Sequence, residues 1–478
     1  MILPAILVCA IPFPGLAGED PARGRAVLES AVTAIGGPAR LAAIETWDVE
    51  GTGRENLTAE IQGLAPDEPT WRDHEERIGV DARTLAVAWH RRTPRNDGSV
   101  RWRRMIRTPE SSGFVDFVAG FGRLRPSPAP EPDRRGLARR IPHVLLHEAS
   151  TRATRTEWER EIEIDGRPHD VVAVDLPDAG TLRLAFSRAP ALLKGVSFER
   201  PMPTLGEVTV SWEWPQWKED DALGYIPSGH RIVVNQVPFQ EVQYSRYRAD
   251  APDVRSLFEV PEKMKHPPAG PAPPSPSSLP ATGEVAPGVH VAEVSGFTVM
   301  FVAFRDFIVA FDAPEAFVGL EAIPGSRPST SVAAEYRSLL ERTYPAKPLR
   351  YVVVSHHHGD HLGGIRALAA NGATVIVAPG HRAAAAAALG DEGRIETVSD
   401  LRTLSDGSRV LEIRNAGRNP HTEENLFVWL PAERILFQGD LFYYSEGGAF
   451  PPSGRETMNR FFAGFLRAHA IDPAAIYG

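Results

Sequence analysis

The run Ser355-His356-His357-His358-Gly359-Asp360-His361-Leu362-Gly363-Gly364 puts four good metal ligands, His356, His358, Asp360 and His361, into six positions. Imidazole and carboxylate together suit zinc or a similar first-row ion. So many ligands in one loop fit two ions side by side. The flanks set the geometry. Tyr351-Val352-Val353-Val354 is short, apolar and β-branched, and reads as a buried strand, so the histidines begin where a strand ends. Side chains two apart in extended backbone share a face. His356 and His358 are therefore expected to address one ion while His357 points away. Gly359 is expected to turn the chain sharply, aiming Asp360 and His361 in a second direction. Gly363-Gly364 permits close backbone approach before a helix expected over Ile365 to Ala370. Asn371-Gly372 is a helix stop, and Ala373 to Val377 is the next strand. Ligands at the carboxyl end of a strand in a β-α-β unit are a frequent active-site frame in α/β folds.

Other segments accompany this loop in a fixed order. Phe311-Asp312-Ala313-Pro314 follows the apolar run Phe307 to Ala310, His421 lies within Asn419 to Pro431, and Asp440 closes Ile435-Leu436-Phe437-Gln438-Gly439-Asp440. With the H-x-H-x-D-H spacing, this set resembles the metallo-β-lactamase-fold hydrolases over residues 284–478. The resemblance implies an αββα sandwich. It implies that His421 completes a three-histidine site with His356 and His358, and that Asp360, His361 and Asp440 hold a second ion, Asp440 bridging the two. It also implies that Asp312 orders the metal loop from beneath and that Asn425, with Glu424, orders the chain behind His421. The implied cofactor is zinc, as two ions. Two departures matter. The Asp440 position is a zinc-bound cysteine in one large subclass of β-lactamases, whereas the single cysteine here is Cys9. The family's late histidine has no counterpart, because His469 lies in the amphipathic helical stretch Arg460 to His469 and the chain reaches Gly478 at what reads as the start of a strand. The expectation is a fold truncated at its C-terminus, with the second site one ligand short.

The implied activity is that of a metal-dependent hydrolase. A catalytic zinc keeps an open position for water and lowers its pKa toward neutrality. Hydroxide then attacks an ester, thioester, lactone, amide or phosphoester of a small-molecule substrate, with Asp360 orienting the nucleophile or passing on its proton. Three alternatives stand beside this: a β-lactamase proper, a non-catalytic lipid- or lipoprotein-binding protein with a degenerate metal site, and an iron-using oxidoreductase. The last is opposed by His358, whose position is a glutamate in diiron relatives. His381 is a candidate substrate contact or else a cap or surface residue; Tyr443 and Tyr444 are candidate pocket walls or core. His290 and His266 lie outside every motif.

At 478 residues the chain is too long for one ordinary core. A net charge of −9 gives no case for nucleic acid or anionic membrane as partner. Residues 1–18 carry no charged side chain and read as a secretory signal, pointing to a periplasmic or secreted protein without a disulfide or membrane span. Residues 261–283 are proline-rich and read as a linker. Between them, residues 19–260 read as a separate α+β domain, a curved antiparallel sheet with helices. Helices are expected over Arg23 to Ile35 and Pro38 to Ile44. Strands are expected around Leu182-Phe186, Val208-Trp214, Ile232-Val234 and Val242-Tyr244, with Pro238 between the last two. The opening Ala34-Ile35-Gly36-Gly37 and the strand Trp47 to Gly51 resemble periplasmic lipoprotein-sorting and carrier domains, which implies a concave apolar face for an acyl chain or other hydrophobic ligand. The arginines Arg134, Arg135, Arg139 and Arg140, beside Glu131 and Asp133, read as a solvated loop.

Overall fold

The computed structural model describes residues 20–56, 71–94, 100–118, 120–202, 206–265, 282–315, 320, 322–324, 331–443 and 456–478. The expected signal segment, most of the proline-rich stretch, His266 and Tyr444 lie outside these residues.

The N-terminal part is built on a 13-stranded sheet, antiparallel throughout. The strand Thr46–Asn56 lies near its middle, paired with Trp71–Asp81 on one side and Val237–Ala249 on the other. The helix Pro21–Ala34 is the first element of the described residues, with Asp20 as N-cap, and stops at Gly36, whose φ of 106° an L side chain would resist. Its buried Leu28, Ala31 and Val32 join Val144, Leu145 and Leu146 of the helix Pro142–Arg152 in one apolar core with the sheet. On the strand Gly206–Glu213 the apolar side chains Val208, Val210 and Trp212 are fully buried as expected, but Ser211 and Glu213 on the other face are buried as well, so this end of the strand is covered on both sides. Pro238 does not lie between strands. It is the second residue of Val237–Ala249, where the ladder to Gly229–Val234 shifts register, a place that tolerates the missing N–H.

Two further expectations are corrected. The arginine group is not a solvated loop. Arg134 and Arg135 lie on the helix Glu131–Ala138, with Arg139 and Arg140 just past its end, and Arg134, Arg139 and Arg140 are buried. Arg139 binds Glu148 and Asp178 at 2.7 Å each, and Arg140 binds Glu76 at 3.0 Å. Burial is tolerated because carboxylates meet the Arg139 and Arg140 guanidiniums, while Arg134 donates to the Ala129 and Thr84 carbonyls. The proline-rich stretch does not begin as linker either: Glu262–Lys265 is a helical turn, and Met264 packs with Ile106, Val115 and Val260.

The C-terminal part has two sheets. The first runs, in spatial order, from Gly283–Ala286 through Val289–Val294, Phe297–Ala303, Ile308–Phe311, Leu349–Val353 and Thr374–Val377 to Ile395–Thr397. The second contains Leu401–Ser405, Val410–Asn415, Leu426–Leu430, Ile435–Gln438 and Ala475–Tyr477. Apolar side chains of both sheets, such as Val291, Phe311, Val353, Leu411, Val428 and Phe437, form a shared core. The helix Val332–Thr343 buries Tyr336 and Leu340 against the first sheet. The helix Glu456–Ala468 buries Met458 and Phe462 beside Phe427 of the second.

Leu320 and Ile323 are buried in the apolar core of the N-terminal part.

Candidate metal centre

Four strand ends converge on one spot. Leu349–Val353 delivers Ser355 and His356, Ile308–Phe311 delivers Asp312, Ile435–Gln438 delivers Asp440, and the turn before Leu426–Leu430 delivers His421. Backbone hydrogen bonds lock the ends together: Asp312 N–H donates to Val353 O at 2.7 Å and Leu426 N–H to Ser355 O at 2.7 Å. Asp312 and Asp440 hold left-handed backbone, φ 56° and 60°. Aspartate tolerates that region better than most side chains, and such residues cluster at functional sites.

His356 Nε2 lies 2.9 Å from His358 Nδ1 and 3.0 Å from His421 Nε2. Three basic nitrogens so close cannot all be satisfied by protons of neighbouring rings. They fit a shared cation, since nitrogens of a tetrahedral zinc site with bonds of about 2.0–2.1 Å sit roughly 3.3 Å apart. Asp440 Oδ2 is 3.1 Å from His421 Nε2, and Asp440 Oδ1 is 3.7 Å from His361 Nε2. Asp360 Oδ2 is 3.8 Å from His361 Nε2. The candidate ligands thus form two groups, His356, His358, His421 with Asp440, and Asp360, His361 with Asp440. Asp440 belongs to both.

Outer residues hold these ligands. Asp312 accepts from Ser355 N–H at 2.7 Å and from the Ser355 hydroxyl at 3.1 Å, and its Oδ2 lies 2.7 Å from His361 Nδ1. His361 Nδ1 is thereby engaged and Nε2 faces Asp360 and Asp440, the arrangement that fixes the tautomer of a ligating histidine. Ser355 Oγ is also 3.0 Å from His356 Nδ1. Asn419 Oδ1 accepts from the N–H groups of both His421 and Thr422 at 2.9 Å. Asn425 Nδ2 donates to Gly439 O at 2.9 Å, and Glu424 accepts from Gly380 N–H and Asn415 Nδ2. A Cβ on Gly439 would collide with Ser355 Oγ.

Burial, then the surrounding imidazoles, hold His356 and His358 well below the usual histidine range, so both are neutral and able to ligate. Burial opposes charge on His361, but the Asp312 carboxylate outweighs it and raises the ring's pKa. Burial alone would raise Asp440; hydrogen bonds from His361 and His421 prevail and lower it. A cleft of about 200 Å³ opens on this second group, lined by Asp312, Pro314, Asp360, His361, Asp440, Phe442, Tyr443 and Gly478 among others.

Every expected ligand therefore reaches one of the two groups. Gly359 makes no sharp turn. It begins a short helix, Gly359–Leu362, so Asp360 and His361 sit on helical rather than loop backbone; the expected helix after it is the shorter Ile365–Leu368. Gly364 does admit close approach, to Ala313 O and Pro314 O, 2.9 Å from where its Cβ would lie. His469 stands apart, its ring Nδ1 on the Phe465 carbonyl, and His290 contacts Tyr344. His381 takes the N-cap position of the helix Arg382–Leu389, as one expectation had it, but its side chain makes no capping hydrogen bond and is not at the surface: it is buried against His357, ring centroids 4.6 Å apart. Burial lowers the pair to about 4 and about 3 respectively. Ser355, Asn419 and Gly439 escaped the sequence reading, although each adjoins or closely precedes a motif residue.

Residues 324–472 match the sequence profile of the metallo-beta-lactamase superfamily. The C-terminal part of this chain belongs to that superfamily. The chain is 35% identical over 99 residues to a metallo-beta-lactamase type 2 of Bacillus sp. (strain 170), covering 20% of this chain and 36% of that protein. It is 32% identical over 113 residues to a hydroxyacylglutathione hydrolase of Methylococcus capsulatus, covering 23% and 41%. It thus spans well under half the length of either relative. A solved metallo-beta-lactamase from Pontibacter korlensis aligns at 18% identity and TM-score 0.27, covering 40% of this chain and 83% of that one.

Proposed function

We propose that the C-terminal part is a zinc-dependent hydrolase. The observation that carries this is the pair of ligand groups joined through Asp440 at the edge of an open cleft. In this reading His356, His358 and His421 hold one ion and Asp360, His361 and Asp440 hold a second. Zinc, when bound, supplies Lewis-acid polarisation and a water that ionises near neutral pH. The protein's own contribution is positional. Asp312 and Ser355 orient His361 and His356, Asn419 fixes the turn carrying His421, and Asn425 braces Gly439 ahead of Asp440. Asp360, its side chain 42% exposed, is placed to orient a reacting water or accept its proton. Phe442 and Tyr443 give the cleft an apolar wall for substrate.

The bond cleaved is an ester, thioester, lactone, amide or phosphoester. The hydroxyacylglutathione hydrolase relative supports the thioester class, and the type 2 metallo-beta-lactamase supports the amide class. Asp440, where the resemblance places cysteine in the β-lactamase subclass, weighs against a β-lactamase proper. In the same reading the N-terminal part is a separate carrier-like domain and the protein is exported. No helix among the described residues is long and apolar enough to cross a membrane.

The test is metal analysis of protein prepared with zinc, followed by turnover of chromogenic lactone, thioester, phosphodiester and β-lactam substrates with and without chelator. At least one class should be hydrolysed and chelation should abolish it. Protein that retains no transition metal overturns the reading.

A further inference from the structure

We propose that Gln438 is a positioning residue for both metal sites: its side-chain amide folds the chain back around Asp440 and holds that carboxylate where the two ligand groups meet. The proposal rests on the metal-centre reading above.

Gln438 ends the strand Ile435–Gln438, just ahead of Gly439 and Asp440. Ile435, Leu436 and Phe437 are buried apolar residues, and Gln438 is buried with them at 4% exposure. A buried amide has to find partners of its own. Those of Gln438 lie on the far side of Asp440. Its Oε1 accepts from Leu441 N–H at 2.6 Å and from Phe442 N–H at 2.9 Å, and its Nε2 donates to Phe442 O at 3.1 Å. Two donors face the oxygen and a carbonyl faces the NH2 group, so the partners themselves fix which way round the amide lies. The side chain thus closes a turn that has Gly439 and Asp440 inside it.

That turn needs holding. Asp440 has a φ of 60°, and Gly439 has no room for a Cβ beside Ser355 Oγ. A left-handed residue other than glycine persists where its surroundings over-determine it. Ahead of Asp440, Asn425 Nδ2 donates to Gly439 O at 2.9 Å. Behind it stands the Gln438 amide. Asp440 Oδ2 then lies 3.1 Å from His421 Nε2 and Oδ1 3.7 Å from His361 Nε2, one oxygen toward each ligand group. A relaxed turn would swing both oxygens, so its effect falls on the two groups together. The next amide along the chain acts elsewhere. Asn459, on the helix Glu456–Ala468, donates to Tyr443 O and accepts from Tyr443 N–H, both at 2.9 Å. It anchors Tyr443, beyond the turn, and leaves the turn itself alone.

Two measurements on the full chain test this. Calorimetric zinc titration compares the wild type, Gln438→Leu and Asn459→Leu, with circular dichroism to establish folding. Gln438→Leu strips the acceptor from two N–H groups and should weaken both binding events roughly tenfold or more, the scale for residues that support metal ligands. Asn459→Leu should lose stability yet keep both zinc affinities, which separates positioning from a general weakening of the fold. Residue-resolved hydrogen exchange of the wild type with and without zinc is the second measurement, and it decides the matter should Gln438→Leu not fold. Linkage is reciprocal, so zinc should slow exchange at Leu441 and Phe442 more than at Tyr443. Unchanged zinc affinity in folded Gln438→Leu, an equal loss of affinity in folded Asn459→Leu, or exchange at Leu441 and Phe442 that ignores zinc overturns the proposal. A wild type that binds no zinc would instead sink the functional reading beneath it.

Discussion

Asp312→Asn separates the architecture of the metal centre from its chemistry. Asp312 is buried and its two carboxylate oxygens serve three donors: Ser355 N–H at 2.7 Å, the Ser355 hydroxyl at 3.1 Å and His361 Nδ1–H at 2.7 Å. An amide of the same shape offers one acceptor oxygen. Asparagine also tolerates the left-handed φ of 56°, so the backbone is not the variable. With the amide oxygen kept on Ser355 N–H, its NH2 faces His361 Nδ1 and turns that nitrogen into an acceptor. The ring proton then sits on Nε2, the atom 3.8 Å from Asp360 and 3.7 Å from Asp440. Loss of one charge-assisted hydrogen bond costs about 1.5–3 kcal/mol in stability. Loss of the tautomer lock weakens metal at the second group by roughly 10- to 100-fold. Asp312→Ala instead takes the carboxylate away from all three donors and is expected to cost roughly 3–5 kcal/mol. Urea unfolding gives the stability terms, and calorimetric zinc titration gives the affinities. Zinc binding by Asp312→Asn indistinguishable from the wild type would refute the assignment of Asp312 as the orienting partner of His361.

Other expectations follow from particular contacts. Arg139→Met removes the fully buried partner of Glu148 and Asp178, which keep Arg135 and Arg152, and should cost about 1.5–3 kcal/mol in urea unfolding. Gly439→Ala drives a methyl into Ser355 Oγ and should cost about 1–3 kcal/mol while also weakening zinc binding, read from the same two assays. Acid should destabilise the N-terminal part in two steps. Burial holds His143 and His230 at about 3 and His74 at about 4, against an ordinary 6.5. The unfolded chain takes up these protons first, so stability present above pH 6.5 declines as pH falls toward 3. Glu76 is buried, which alone would raise it, but Arg140 holds it down to about 2. Its contribution is present above pH 4.5 and is lost as pH falls toward 2. Urea midpoints followed by tryptophan fluorescence should therefore decline from just below pH 6.5 and more steeply below 4.5; a flat profile from pH 7 to 5 would contradict neutral burial of the three histidines.

The metal centre was legible in the sequence because its densest part is local. His356, His358, Asp360 and His361 occupy one strand end and one helical turn, where spacing translates directly into direction. Asp312, His421 and Asp440 are remote in sequence, and the resemblance, not periodicity, brought them in. What stayed hidden depends on partners far along the chain. The arginines around residue 139 read as a solvated loop because Asp178, 39 residues beyond Arg139, and Glu76, 64 residues before Arg140, become their partners only once the sheet has formed. His381 gave no sign of burial against His357, since Pro379-Gly380 suggested a cap. Nor does any local pattern in Leu320 or Ile323 announce a role in the N-terminal core, because two apolar residues in a glycine- and proline-rich stretch carry no period. Met264 is a similar case, an anchor within a stretch whose composition reads as linker.

Calorimetric titration of zinc into metal-free protein tests the central claim most directly. The account predicts one binding event that disappears in His356→Ala and in His421→Ala, and a second that disappears in Asp360→Ala and in His361→Ala. Asp440→Ala should weaken both. A protein that binds no zinc, or binds it equally well in all five variants, would contradict the account.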